Sequence, residues 1–450
     1  VTYTQPAAQR PELAPGAWPV LGHLPAFGRD PLKFLGTLPA HGDLVEIRFP
    51  QRRMYVACHP DVAQKAFADG LTFDRTGPIY DAMRADMGNG LATCVHAEHR
   101  RQRRMVQPAF RRDRMERYAA LMCAEIDTLA RSWRPGQVVD LVDEMFTLTT
   151  SVAVRTLFAA GMDARTAVEL RRCLDVFLRG TVTRVLLPAA TRLPTPANRR
   201  YERAVAQWRG YVRQIVAEGR QRDGAGEDLL SWLIEARDDD RTGLTEQELS
   251  DQIMVLVLAG AETTSASLAW ALHLLGTHPE VEAELFAEAD TVLAGATATL
   301  AELPRLEHTG RVVKETLRLY PPAWALIRTA TRDTELAGRQ LAAGGTVLVS
   351  PYLLHRRADL FDAPDEFRPE RWEVDAQTGR CPIPPATFVP FGVGPNRCVG
   401  DTFALTMASL TLASLATRWR LRPIPGTTIR AAARAVLSPR TLPMEVIARR

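Results

Sequence analysis

The stretch Pro390–Gly400 reads PFGVGPNRCVG. It sets one thiol, Cys398, among three glycines and two prolines, directly before DTFALTMASLTLASLATRW, whose apolar residues recur at helical spacing. Four readings compete for that thiol: a structural cysteine, half of a disulfide, a zinc ligand, or a thiolate held out for a cofactor. The glycines let backbone approach a ligand closely and turn amide N–H groups toward sulfur. A place at a helix N-terminus favours the thiolate, through the dipole and the free N–H groups.

The other cysteines, Cys58, Cys94, Cys123, Cys173 and Cys381, are scattered, with no CxxC and no paired Cys/His spacing. In a chain this long that pattern argues against a disulfide framework and a zinc ribbon. They read as buried small hydrophobes. Haem iron is the cofactor that takes a single axial thiolate, and it is the reading these residues favour for Cys398.

The chain has 450 residues, 46% of them hydrophobic, so its length allows one oversized domain or two ordinary ones. Its net charge of +4 is carried by arginine, since Lys33, Lys65 and Lys314 are the only lysines. With high alanine and leucine, that bias points to a GC-rich, bacterial genome. Residues 1–30 read as a proline-rich arm. DLVEIRF and RRMYVAC alternate around a turn and predict a hairpin. Helical periodicity covers about 60–69, 97–132, 140–180, 198–220, 226–237, 245–276, 279–294 and 305–319. Strand signals return near 325–350 and in the last thirty residues. No repeat, low-complexity block or long polar linker divides the chain. The expectation is a single domain over 1–450, mostly α with small β-sheets: an α-rich α+β fold.

The longest apolar run, Ile253–Ala261, stops at Glu262, well short of the roughly 18 to 20 residues that span a bilayer. VTYTQPAAQRPELAPGAWP lacks the segments of a signal peptide. A soluble, cytoplasmic protein with no membrane anchor is expected; Val1 is not an initiator methionine, which leaves a removed leader open.

AGAETT (Ala259–Thr264) interrupts an apolar helical run with a glycine, an acid and two hydroxyls. Glycine costs a helix roughly 1 kcal/mol against alanine, and a carboxylate among apolar residues costs more unless satisfied. Thr263 is placed to bond back to the carbonyl of Ala259, which bends a helix and opens room beside it.

The cysteine loop resembles the haem-binding loop of the cytochrome P450 monooxygenases, with Phe391, Gly394, Cys398 and Gly400 on the family pattern and the other motifs in the family's order along the chain. It departs at Asn396, where the family usually carries Arg or His toward a haem propionate, and Met407 stands where many members have Glu. The resemblance implies a long central helix over haem b, with the Cys398 thiolate as axial ligand. Glu262 and Thr263 become the acid and alcohol that handle oxygen, water and protons, with Gly260 beside the cofactor. RVVKETLRLYPP and FRPERW match the Glu-x-x-Arg and Pro-Glu-Arg signatures, which makes Glu315, Arg318 and Arg371 a buried structural triad behind the loop. His99 and Arg103, four apart in HAEHRRQRRMVQPAF, and Arg328 match residues that contact propionates. His355, in a similar HR-containing segment, is divided between haem contact and an ordinary solvated residue.

The basic run HRRQRR, followed by RRDRMER, raises nucleic-acid binding as a rival. It lacks interleaved aromatics and any recognised nucleic-acid motif. Steering of an acidic ferredoxin, itself served by a ferredoxin reductase, explains the charge better, with a plain solvated helix as the alternative. With no flavin or iron–sulfur domain read in this sequence, electrons are expected from such a separate donor. By resemblance the substrate pocket draws on DRTGPIYDAMRADMGNGLATCV, VFLRGTVTRVLLPAATRLP, the helix before Glu262 and the turn after Pro322. Those segments offer Ile79, Met83, Met87, Leu91, Leu256, Trp324 and Leu326, an apolar set suited to a guest needing little polar recognition. The overall pattern is similar to that of bacterial terpene-modifying members. The expected enzyme is a monomer that uses O2 to oxidise a hydrophobic small molecule, a sesquiterpene first, with fatty acids or macrolide-like products behind it. A peroxide-driven hydroxylase, a non-oxygenating haem-thiolate enzyme and a haem sensor are the other classes left open.

Overall fold

The computed structural model describes residues 10–449 except 51, 159–167, 170–171, 174–175, 178–179, 181–192, 222–227 and 376. The segment VFLRGTVTRVLLPAATRLP, expected to line a substrate cavity, lies largely outside the described residues. The chain divides into two compact units interleaved in sequence: residues 1–77 with 314–398, and residues 78–313 with 399–450.

The first unit is built on a six-stranded sheet whose strands, in spatial order, are Glu12–Leu13, Leu44–Phe49, Arg52–Ala57, Thr346–Val349, Leu326–Ala330 and Phe73–Asp74. DLVEIRF and RRMYVAC form the expected hairpin, with Leu44 opposite Ala57 and Phe49 opposite Arg52. Thr346–Val349 then runs parallel to Arg52–Ala57 and antiparallel to Leu326–Ala330. A second hairpin, Thr334–Leu336 with Arg339–Leu341, turns through Ala337 and Gly338. Both have positive φ (53° and 71°), the left-handed pair that suits the twist of a two-residue turn. Among the described residues at the end of the proline-rich arm and just after it, prolines at helix starts open Leu24–Arg29 and Pro31–Thr37. Their aromatic residues pack together, with Phe27 edge-on to Phe34 and Phe49.

The second unit is helical, with a small sheet of Trp419–Pro423, Pro443–Ala448 and Val138–Asp140. Its axis is the 32-residue helix Glu246–Thr277. TEQEL starts it with a capping box: the Thr245 side chain accepts from the Glu248 N–H while the Glu248 carboxylate accepts from the Thr245 N–H. This central helix packs on Leu141–Leu157, Pro196–Gln221 and Asp401–Ala416. Among the described residues it is the one helix long and apolar enough to cross a membrane, yet 72% of its apolar window is buried within the protein. The periodicity predicted over 97–132 is broken in the structure into His96–Val106 and Arg112–Ser132. Pro108 lies in the tighter turn between them, Gln107–Phe110, where it cannot donate to an α-helical ladder. Helix Pro78–Met87 and the two- and three-residue strands 12–13, 73–74 and 138–140 were not anticipated.

Candidate active site

In the first unit the site is built outward from one carboxylate. Glu315 and Arg318 are fully buried, three residues apart on helix Glu307–Leu319. The Arg318 fork grips Glu315 with two bonds, Nε to Oε2 at 2.9 Å and a terminal nitrogen to Oε1 at 2.8 Å. Its remaining donors go to the carbonyls of His355 (2.9 Å), Pro364 (2.6 Å) and Glu366 (2.9 Å), so all five guanidinium N–H groups are used. Glu315 is equally committed: it also accepts from Arg371 Nε at 2.8 Å, Trp372 Nε1 at 2.8 Å and the Arg368 N–H at 3.1 Å. Arg371 in turn donates to the carbonyls of Asp362 and Ala363.

His355 continues this frame. Its Nε2 accepts from the Val389 N–H at 2.9 Å, which leaves the proton on Nδ1, 3.2 Å from the Arg318 carbonyl. Burial and the Arg318 charge push its pKa down to about 3, so the ring is neutral. Both ring nitrogens therefore serve backbone, and in this frame His355 acts as a brace. The cysteine loop begins directly after Val389, and the carbonyl of its second residue, Phe391, accepts the Cys398 N–H at 2.9 Å. An unbroken line of bonds runs from Glu315 through Arg318 and His355 to the base of the loop. Within the loop, Gly394 has φ +67°, and an added Cβ would stand 3.1 Å from the Phe67 carbonyl, so backbone lies on backbone there. Asn396 ends the short turn Gly394–Asn396. Arg328 is buried, with its guanidinium 4.2 Å above the Phe67 ring and a bond to the Ile327 carbonyl. Leu326 lines a small apolar recess together with Gly392 and Val393. Trp324 has the placement of a core residue: it is buried, 6.4 Å from Phe27.

None of the six cysteines is in a disulfide, and Cys398 alone is exposed. Burial pushes the Cys58 thiol up to about 12. Among the described residues no cluster of three His, Cys, Asp or Glu could hold a metal ion, so the single thiol of Cys398 on its exposed loop fits haem better than a bare metal.

In the second unit the central helix is buried along most of its length, but Leu256, Ala259, Gly260 and Thr263, spaced i, i+3, i+4 and i+7, are at least part-exposed. A Cβ added at Gly260 would meet no atom within 4 Å. The Thr263 hydroxyl donates to the Ala259 carbonyl at 2.6 Å. Ser265 donates to the Glu262 carbonyl, Ser267 to that of Thr263, and Thr149 of the neighbouring helix Leu141–Leu157 to that of Ala261 at 2.8 Å. Four carbonyls in this one stretch thus accept hydroxyl donors, the arrangement that loosens a helix. The Glu262 carboxyl has no hydrogen bond or ion pair among the described residues, and desolvation alone pushes its pKa up to about 7.

On His96–Val106, His99 is buried, not solvated, and Arg103 bonds Gln107 at 3.1 Å. The basic run is partly neutralised within the chain. Arg101 binds Asp238 (2.8 Å), Glu248 (2.5 Å) and the Gly243 carbonyl, and Arg104 binds Asp239. Ile79, Met83 and Met87 fall at i, i+4 and i+8 on Pro78–Met87 and are half-buried, while Leu91 is buried. Sequence reasoning missed Trp372, Gln102, Asp251 and Gln252; the one available signal was glutamine and aspartate in otherwise apolar or basic helical runs.

The sequence profile of the cytochrome P450 family matches residues 11–444. Cyclooctatin synthase of Streptomyces melanosporofaciens is 42% identical, over 95% of this chain and 94% of its own. Cyclooctat-9-en-7-ol 5-monooxygenase of the same organism is 43% identical over 92% and 90%. Pentalenene oxygenase of Streptomyces avermitilis is 40% identical over 97% of each chain. The crystal structure of the cytochrome P450DA heme domain superposes with a TM-score of 0.88 at 26% identity, covering 98% of both chains. With its cysteine loop, its Glu315 frame and relatives at this identity along nearly its whole length, the chain belongs to the cytochrome P450 family.

Proposed function

We propose that this cytochrome P450 is a monooxygenase of terpenoid hydrocarbons, acting as one haem-thiolate domain with Cys398 as the axial ligand of haem b. When bound, haem iron supplies the binding and reductive activation of O2, with electrons from a ferredoxin and its reductase. The chain's own residues do the rest. The frame from Glu315 to Val389 holds the Cys398 loop in one geometry. His99, Arg103 and Arg328 are assigned to the propionates, with Asn396 contributing at most an uncharged hydrogen bond.

The observation that carries the proton chemistry is the pairing of a back-bonded threonine with an unpaired acid. The Thr263 proton is committed to the Ala259 carbonyl, so toward oxygen or water its Oγ1 acts as an acceptor. The Glu262 carboxyl, near pH 7 in affinity for a proton, can take one up and release it at neutrality. A peroxide-driven enzyme would need neither. For the substrate, support comes from the relatives named for cyclooctatin, cyclooctat-9-en-7-ol and pentalenene, and from the apolar run Ile79, Met83, Met87, Leu91 and Leu256. Since Arg101 and Arg104 are engaged within the chain, donor steering falls to the exposed Arg100, Arg111 and Arg112.

The test is the absorbance spectrum of the dithionite-reduced protein with carbon monoxide, beside Cys398→Ala, followed by turnover of polycyclic terpene hydrocarbons with NADPH, ferredoxin and isotopically labelled O2. A strongly red-shifted Soret band lost in the variant, and label in the product, are expected. A band of histidine-ligated type overturns the ligand. Turnover of fatty acids and not of terpenes overturns the substrate.

A further inference from the structure

We propose that Gln102, Asp251 and Gln252 are positioning residues that set substrate discrimination by clamping the loop Gly88–Leu91 onto the central helix. The inference rests on the monooxygenase reading above and adds a specificity device to it. Gln252 and Gln102 are 0% and 1% exposed and Asp251 is 8% exposed; Asp251 and Gln252 lie on the largely apolar central helix and Gln102 in the basic run of His96–Val106. Buried amides and carboxylates are costly unless bonded. Here nearly every bond goes to the backbone of one short loop or ties the clamp together. Asp251 accepts from the Asn89 N–H at 2.8 Å and Gln252 from the Leu91 N–H at 3.0 Å. Gln102 donates to the Asn89 carbonyl at 2.9 Å, and Gln252 donates to Gln102 at 2.7 Å. Gln247, one turn before Asp251, donates to its second oxygen. Three polar groups of the loop backbone, the Asn89 N–H and carbonyl and the Leu91 N–H, are thus held by side chains from two helices.

The fit is close as well as polar. A Cβ at Gly88 would stand 2.2 Å from Asp251 Oδ1, and one at Gly90 would stand 2.8 Å from the Asp251 carbonyl and from Val255 Cγ2. The loop therefore lies directly on the helix, and only glycine allows it. Met87 directly precedes the clamped loop, Leu91 is its last residue, and Leu256 sits one turn beyond Gln252. The clamp fixes the spacing of these three apolar side chains by backbone bonding, not by the bulk of any one of them. Such a wall discriminates by shape, which an apolar guest with few polar handles requires.

Two variants test this in the haem-loaded full-length protein: Gln102→Leu, which removes the donor to Asn89, and Asp251→Asn, which keeps the volume but loses one acceptor. Three readouts are made: amide exchange at residues 89 and 91, the ratio of affinities for imidazole and for bulky aryl-azoles from their haem spectral shifts, and the distribution of hydroxylated products. The expected result is exchange faster by about tenfold, the scale of one lost hydrogen bond, with the azole ratio flattened and product regioisomers multiplied while the carbon monoxide spectrum stays unchanged. Faster exchange with unchanged azole discrimination and products would reduce the clamp to scaffolding, and unchanged exchange would show that the bonds do not hold the loop. If the unmodified chain gave no thiolate-type spectrum, the haem reading itself would fall, separately from the clamp, which the exchange measurement still addresses.

Discussion

Two glutamates show how differently the same side chain can be used. Glu315 is wholly buried and accepts from two arginines, a tryptophan and a backbone N–H. Glu262 sits in an apolar helix with no partner among the described residues, and its pKa rises to about 7. Fully satisfied, a buried carboxylate becomes rigid framework; left unsatisfied, it becomes a group that exchanges protons near neutral pH. The difference lies in the neighbours.

The contrast is broken most severely at Glu315. Glu315→Ala leaves Arg318 as an uncompensated buried charge and should cost about 3 to 5 kcal/mol, seen as a large fall in thermal midpoint and loss of the thiolate-type carbon monoxide spectrum. Retention of both would mean that the frame does not hold the loop. His355→Phe strands the Val389 N–H and the Arg318 carbonyl, so a loss of about 2 to 4 kcal/mol is expected at pH 7 from two unsatisfied groups; denaturant titration measures it. Because its folded pKa lies below the free value, the stability His355 contributes is complete above pH 6.5 and is lost as pH falls toward 3.

Glu262 gives the opposite slope. Its folded pKa lies above the free value, so the penalty for its charge grows as pH rises from 4.5 through 7. Glu262→Gln should therefore stabilise the protein at pH 8 but not at pH 4.5, by roughly 1 to 3 kcal/mol once partial solvent access is discounted. The same variant should lose the inflection near pH 7 in turnover. Thr263→Ala is expected to change stability least while raising peroxide released per NADPH consumed by about tenfold, equal to about 1.4 kcal/mol of lost steering. Unchanged coupling would remove Thr263 from the proton path.

How much of this could be read in advance followed the range of the interactions. The Glu315/Arg318 spacing, the Thr263 back-bond to Ala259 and the Thr245/Glu248 capping box are local, and a window of three to five residues contains them. The hairpin of 44–57 was legible because six alternating residues stand on each side of a turn. The strand Phe73–Asp74 was not, since two residues carry no period and exist as a strand only because Ala330 and Thr329 pair with them. The clamp was illegible for the same reason at larger scale. Gln102 stands in a basic run and Gln252 in an apolar one 150 residues away, and no local pattern joins them. Arg101 and Arg104 misled in the other direction, for their acidic partners lie more than 130 positions along the chain.

The frame behind Cys398 also bears on the order of events in the cell. Every bond in the line from Glu315 to Val389 runs between protein atoms, so the platform for the cysteine loop can be completed while the newly made chain is still waiting for its prosthetic group. On the haem-thiolate proposal, loading would then meet a prepared seat, with the chain entropy of fixing that loop spent in folding. Cofactor capture becomes a docking event, and its rate should depend on haem supply more than on rearrangement of the cysteine loop.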